Sequence, residues 1–93
     1  MIDILNNIIL YFNWWEQMEI GKNYNVVYGL KYDIEYENDV KCIKITPLSY
    51  QIERQNGKTG LIKKDSIMEL KEVTINSNGE KILKTIIDCK TSV

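Results

Sequence analysis

Apolar residues fall three and four apart over the first fifth of the chain and two apart soon after, and the period changes near Gly21. Ile4, Leu5, Ile8, Ile9, Phe12, Trp15 and Met18 keep the period of an amphipathic helix, Asp3 can cap its start, and Gly21 suits its end. The spacing predicts a helix over residues 3–19. Leu10, Tyr11 and Trp14 fall off that stripe, so apolar surface wraps more than half of the helix. Each large side chain left in water forgoes roughly 1.5–3 kcal/mol. Such a helix therefore calls for a cover: a second copy of the chain, a foreign partner, or a groove against the rest of the fold.

From Tyr24 to Tyr36 the alternation is strict, with Tyr24, Val26, Tyr28, Leu30, Tyr32, Ile34 and Tyr36 on one side. A long strand follows, and Gly29 in its middle marks a bulge or sharp bend. "ENDV" then reads as a turn and "KCIKIT" as a strand that Pro47 stops, since proline cannot donate to a central ladder. "LSYQIERQ" reads as a strand with Leu48, Tyr50 and Ile52 inward. Asn56-Gly57 and Asn78-Gly79 are hairpin signals, leading into "TGLIKK" and "EKILKTIIDC". In "KDSIMELKEV", Asp65 or Ser66 with Glu69 makes a capping-box pattern, so a helical or 3₁₀ turn should precede a strand around Met68–Ile75.

The expected fold class is α+β in one domain over residues 1–93: an N-terminal helix at 3–19, then over 24–90 a strongly bent antiparallel β-sheet or a five-to-six-stranded barrel. The helix, the long strand bent at Gly29, the run "IKITPLSYQIERQNGKTGLIKKDSIMELKEV" and its short turn together resemble the small barrels of the SH3-like and Sm-like families. The Sm-like arrangement is the nearer, because of its N-terminal helix. The resemblance spans about residues 3–75 and implies a closed barrel and, on the Sm-like side, an RNA-binding oligomer. The added hairpin at 74–90 departs from it.

Composition bounds the chemistry. Ninety-three residues, 10.9 kDa, 44% apolar and 27% charged describe one ordinary globular core. Ile, Asn, Lys and Tyr are abundant and Ala is absent, a bias toward AT-rich codons as in a low-GC bacterium or its phages. The chain has no His, which removes the commonest general base and metal ligand, and no cofactor motif is present. "GKT" at Gly57–Thr59 lacks the upstream glycine of a phosphate loop, and "KTG" at Lys58–Gly60 lacks a companion Ser-x-x-Lys. Cys42 and Cys89 are too few for a disulfide framework or a structural zinc site and are expected reduced. "MIDILNNIILYF" has neither the basic region of a signal peptide nor the length of a membrane span, which points to the cytoplasm.

Charge is uneven along the chain: seven acids against two lysines up to residue 40, then ten bases against six acids. Asp33, Glu35, Glu37 and Asp39 alternate, so their carboxylates should form a row on one side, suited to docking a basic, nucleic-acid-binding protein partner. Parallel carboxylates on a stiff strand converge poorly on a metal ion. Lys41, Lys44, Arg54, Lys58, Lys63 and Lys64 form a candidate RNA-contacting face, although a pI of about 5.4 is low for a dedicated nucleic-acid binder.

The leading expectation is a non-enzymatic protein-interaction module without cofactor or membrane contact. It would act through Asp33, Glu35, Glu37, Asp39, Tyr11 and Trp14, as a phage or mobile-element inhibitor of a host defence complex, in the manner of an anti-CRISPR, with a homodimer through the N-terminal helix as a further expectation. The alternatives are an Sm-like RNA-binding oligomer and a nucleotide-binding barrel lined by Tyr24, Tyr28, Tyr32 and Tyr50.

Overall fold

The computed structural model describes residues 16–88. They form β1 (Asn23–Leu30), β2 (Asp33–Ile45), β3 (Ser49–Glu53), β4 (Thr59–Lys63), a 3₁₀ turn (Lys64–Ser66), β5 (Ile67–Ile75) and β6 (Lys81–Ile87). All six strands belong to one antiparallel sheet of order β4-β3-β2-β1-β5-β6. Its core face carries Tyr24, Val26, Val40, Cys42, Tyr50, Ile52, Ile62 and Leu70, all buried. The register explains the cluster: Tyr24 opposes Val40, Val26 opposes Leu70, Cys42 opposes Ile52, and Tyr50 opposes Ile62.

The lead-in segment crosses this face. Met18 is fully buried. The Gln17 N–H donates to the Tyr50 hydroxyl at 2.9 Å, the Glu19 N–H donates to the Tyr24 hydroxyl at 2.7 Å, and Gly21 N–H bonds the Cys42 carbonyl. This corrects the expected helix. Its residues 3–15 lie outside the described residues, and Glu16–Glu19 are irregular because two core tyrosines take N–H groups that a helix would direct to its own carbonyls. Among the described residues the only helical piece is the 3₁₀ turn, so they are nearly all-β rather than α+β.

The expected barrel is likewise corrected to an open sheet, with β4 and β6 at opposite ends. The physical reason is the hairpin hidden in the long alternating run. The chain reverses completely at Lys31–Tyr32, so residues 24–36 belong to two paired strands and no single bent strand is shared between sheets. Leu30 opposes Asp33 and Gly29 opposes Ile34. Gly29 has φ of 135°, and a Cβ there would stand 2.1 Å from the Asp33 carbonyl oxygen. "ENDV", expected as a turn, lies inside β2 and carries a bulge: between Val26 and Tyr24 β1 advances two residues while β2 advances three, from Glu37 to Val40. Asp39 holds φ of 54° there.

Elsewhere the expected elements stand where the turn chemistry places them. β2 ends before Pro47, Gly57 and Gly79 take positive φ in their hairpins, and the 3₁₀ turn precedes β5. The capping box does not form: Lys63 is the cap, and the Ser66 hydroxyl donates to the Lys63 carbonyl. Leu48, expected inward, is exposed in the turn that Thr46 and Ser49 close.

Gly29→Ala should destabilise the protein by about 1–3 kcal/mol, since the methyl meets backbone and the φ disfavours any L side chain. Urea unfolding measures it, and an unchanged midpoint would mean that the hairpin does not need this glycine.

Candidate interaction surface

β3 pairs with β2 only over Lys41–Ile45, and β5 pairs with β1 only as far as Tyr28. The far end of the β1–β2 hairpin, residues 29–36, therefore extends past both neighbours as a two-stranded ribbon. Its apolar side chains face water: Tyr32 at the tip is 98% exposed, Leu30 78%, Tyr36 69% and Ile34 40%. By register Asp33 and Glu35 lie on the core-face side, opposite Leu30 and Tyr28, while Ile34 and Tyr36 lie on the other side, opposite Gly29 and Val27.

The base of the ribbon is braced. Arg54 Nε donates to Glu37 Oε1 at 3.0 Å, its Nη2 donates to Oε2 at 2.7 Å, and its Nη1 donates to the Thr59 carbonyl at 3.0 Å. The Tyr28 hydroxyl donates to Glu37 Oε2 at 3.2 Å. Gly60 makes the fork possible, because a Cβ there would lie 2.8 Å from Arg54 Nη2. The hydrogen bonds and charge of Arg54 hold the Glu37 carboxyl below its ordinary value despite partial burial. Burial, with Glu37 beside it, raises the Tyr28 hydroxyl.

At the bulge Asp39 turns to the opposite face. Its N–H donates to Asn25 Oδ1 at 2.8 Å, Asn23 Nδ2 donates to Asp39 Oδ1 at 2.8 Å, and Lys81 Nζ donates to Oδ2 at 3.1 Å. Gln55 Nε2 closes on the Asp39 carbonyl at 2.8 Å. The hydrogen bond from Asn23, then Lys81, lowers the Asp39 carboxyl. The expected row of four is thus divided: Asp33 and Glu35 face solvent, Glu37 is held by Arg54, and Asp39 lies on the other side with Lys81. Tyr11 and Trp14, named with them, lie outside the described residues.

The six basic candidates are also separated. Lys41, Lys44 and Lys63 register with Glu53, Gln51 and Ser49 on the face opposite the core. Lys58 sits in the β3–β4 hairpin and Arg54 is engaged by Glu37. Lys64 is on the core side: its Nζ lies 2.6 Å from Glu16 Oε1 and 5.1 Å from the Tyr50 ring centre, and the Tyr50 hydroxyl donates to Glu16 Oε2 at 2.6 Å. Burial, with Glu16 adjacent, raises the Tyr50 hydroxyl strongly.

No tyrosine pocket forms from the four residues named for it. Tyr24 and Tyr50 are buried in the core, whereas Tyr32 stands at the ribbon tip. A cleft of about 140 Å³ opens on the opposite face, lined by Asn25, Val27, Asn38, Glu69, Lys71 and Leu83. That is below the roughly 300–1,000 Å³ of small-molecule pockets. Among the described residues no three His, Cys, Asp or Glu converge as a metal site, and no helix is long and apolar enough to cross a membrane. Cys42 is a buried free thiol whose ionisation burial opposes. The chain matches no protein-family model, no curated protein and no solved structure.

Sequence reasoning missed Asn23, Asn25, Gln55, Gly60 and Lys81. Lys81 is 42 residues from Asp39, and nothing local to either predicts the pairing.

Glu37 and Asp39, with folded pKa values lowered, stabilise the fold above their ordinary values of 4.5 and 3.8, and that contribution is lost as the pH falls through their lower folded values. Stability should therefore decline on acidification below about pH 4.5, and Glu37→Gln should flatten that acid limb. An acid limb identical in the variant would show that the Arg54 pair contributes nothing to it.

Proposed function

We propose that this protein is a non-enzymatic protein-binding module whose β1–β2 ribbon docks on a basic partner surface. The observation that carries the reading is the exposure of Leu30, Tyr32, Ile34 and Tyr36 on one braced projection that also presents Asp33 and Glu35 to solvent. Scattered exposed apolar residues need no explanation, but a projecting group of them marks an interaction site. Tyrosine suits such a tip, since it offers a large contact area with few rotatable bonds. The carboxylates beside it favour a cationic surface and speed encounter with one.

Basic surfaces are what nucleic-acid-handling complexes present, so the finer reading is an inhibitor of such a complex, including a host defence complex met by a phage or mobile element. The AT-rich codon bias and small size support this finer step. RNA binding has less support, because the basic candidates divide between two faces and two of them, Arg54 and Lys64, are occupied by carboxylates.

A photo-crosslinking residue placed at Tyr32 in the producing cell should give a discrete adduct with a basic protein. The same residue at exposed Leu48, in the turn between β2 and β3 at the other end of β2, should not. Tyr36→Ala should weaken the captured partner's binding about tenfold, and Asp33→Lys with Glu35→Lys should abolish the adduct while the thermal unfolding midpoint stays near that of the parent. Adducts at Leu48 with none at Tyr32 would overturn the assignment.

A further inference from the structure

The ribbon offers more than side chains. β2 is 13 residues long, yet β3 covers only its last part, and among the described residues no strand pairs with the β3 side of Asp33–Asn38. Five of these six residues are exposed and Glu37 is half-buried. Alternate residues of that stretch direct N–H and C=O groups away from β1, so about 20 Å of ladder is open to an incoming strand. The stretch has a defined end, where the Gln55 side chain occupies the Asp39 carbonyl.

The other two edges differ in kind. β4 carries Lys63, and β6 carries Lys81 and Lys84, with no acid on either. Lysines on an edge discourage pairing. The open part of β2 has carboxylates instead, and it is two-sided: Asp33 and Glu35 on one side, exposed Ile34 and Tyr36 on the other. Charge alone would serve as a guard against self-pairing. Exposed apolar residues alternating with that charge serve no guarding purpose.

We infer that the β3-side edge of Asp33–Asn38 is a strand-addition site for an extended segment of a partner protein in which Lys or Arg alternates with apolar residues. This rests on the ribbon being the docking element and specifies how it docks. Backbone pairing supplies the geometry, cationic side chains fall beside Asp33 and Glu35, and apolar ones fall beside Ile34 and Tyr36.

The test adds an end-blocked peptide of alternating Lys and Val, six residues long, to the intact protein and follows amide hydrogen exchange. Alternate amides within Ile34–Asn38 should become protected, with affinity falling about tenfold in Asp33→Ser with Glu35→Ser. A Glu-Val peptide and a Lys-Val peptide N-methylated at alternate residues should not bind. Failure of the Lys-Val peptide to protect this edge at millimolar concentration overturns the inference. Equal binding by the N-methylated peptide also overturns it, yet leaves the ribbon reading standing as side-chain docking. Tyr32 adducts that persist in Asp33→Lys with Glu35→Lys would overturn both the cationic strand and the basic partner. A molar mass that rises with concentration without peptide, with protection shared by Ile34–Asn38 and Lys81–Ile87, would assign the edge to a second copy and overturn the foreign-strand inference.

Discussion

The bulge at Asn38–Asp39 is the constraint on which both the core and the ribbon turn. Side chains alternate along a strand with a period of two, so one extra residue exchanges the faces of everything beyond it. Inward of the bulge Val40 and Cys42 enter the core. Outward of it Glu37, Glu35 and Asp33 lie on that same side, while Ile34 and Tyr36 are turned to the opposite face. Were the same sequence to run through this point as a regular, unbulged strand with Val40 and Cys42 in place, alternation would send the three acids to the opposite face and Ile34 and Tyr36 toward the core side. The ribbon would then lose its carboxylates from the side where Arg54 waits. Asp39 can adopt its left-handed conformation because Asn25 accepts its N–H and Asn23 and Lys81 hold its carboxylate.

An isolated two-stranded hairpin is marginal in water, so the ribbon's order depends on its base. There the Arg54 fork, seated on Gly60 and tied to Thr59, neutralises Glu37 where it would otherwise be a half-buried unpaired charge. The remaining acids stay solvated. A projection held this way loses less conformational entropy on binding than a floppy loop would. Its exposed tyrosines and leucine are tolerable in solution because they are few and interleaved with charge.

Much of the fold was legible in the sequence because its signals are local. Pro47, the two Asn-Gly pairs and the short turn before β5 follow from backbone chemistry that neighbours within four residues settle. Tyr24, Val26, Tyr50 and Ile52 were legible as core from alternation. The hairpin at Lys31–Tyr32 was not, because neither residue is a turn former and the apolar alternation runs through it unbroken; Gly29 was a true signal, but of a reversal and not of a bend. The parity of Ile34 and Tyr36 was misassigned for the same reason. The acidic row was legible as residues and illegible as geometry, since a bulge leaves no fixed mark in composition.

By itself the sequence determined that the segments of β3 to β6 are strands, where the turns between them fall, and that carboxylates and aromatics crowd one stretch near Asp33. Those properties are set by steric limits on φ and ψ and by hydrophobic periodicity, which act over a few residues. Only the tertiary structure decided that Glu16–Glu19 leave helical geometry for the hydroxyls of Tyr24 and Tyr50, that Arg54 and Lys81 take two of the four acids, and that the sheet stays open with part of β2 unpaired. Each of these depends on residues brought together from 5 to 42 positions apart, and no local preference encodes which distant partner a hydrogen bond or charge will meet.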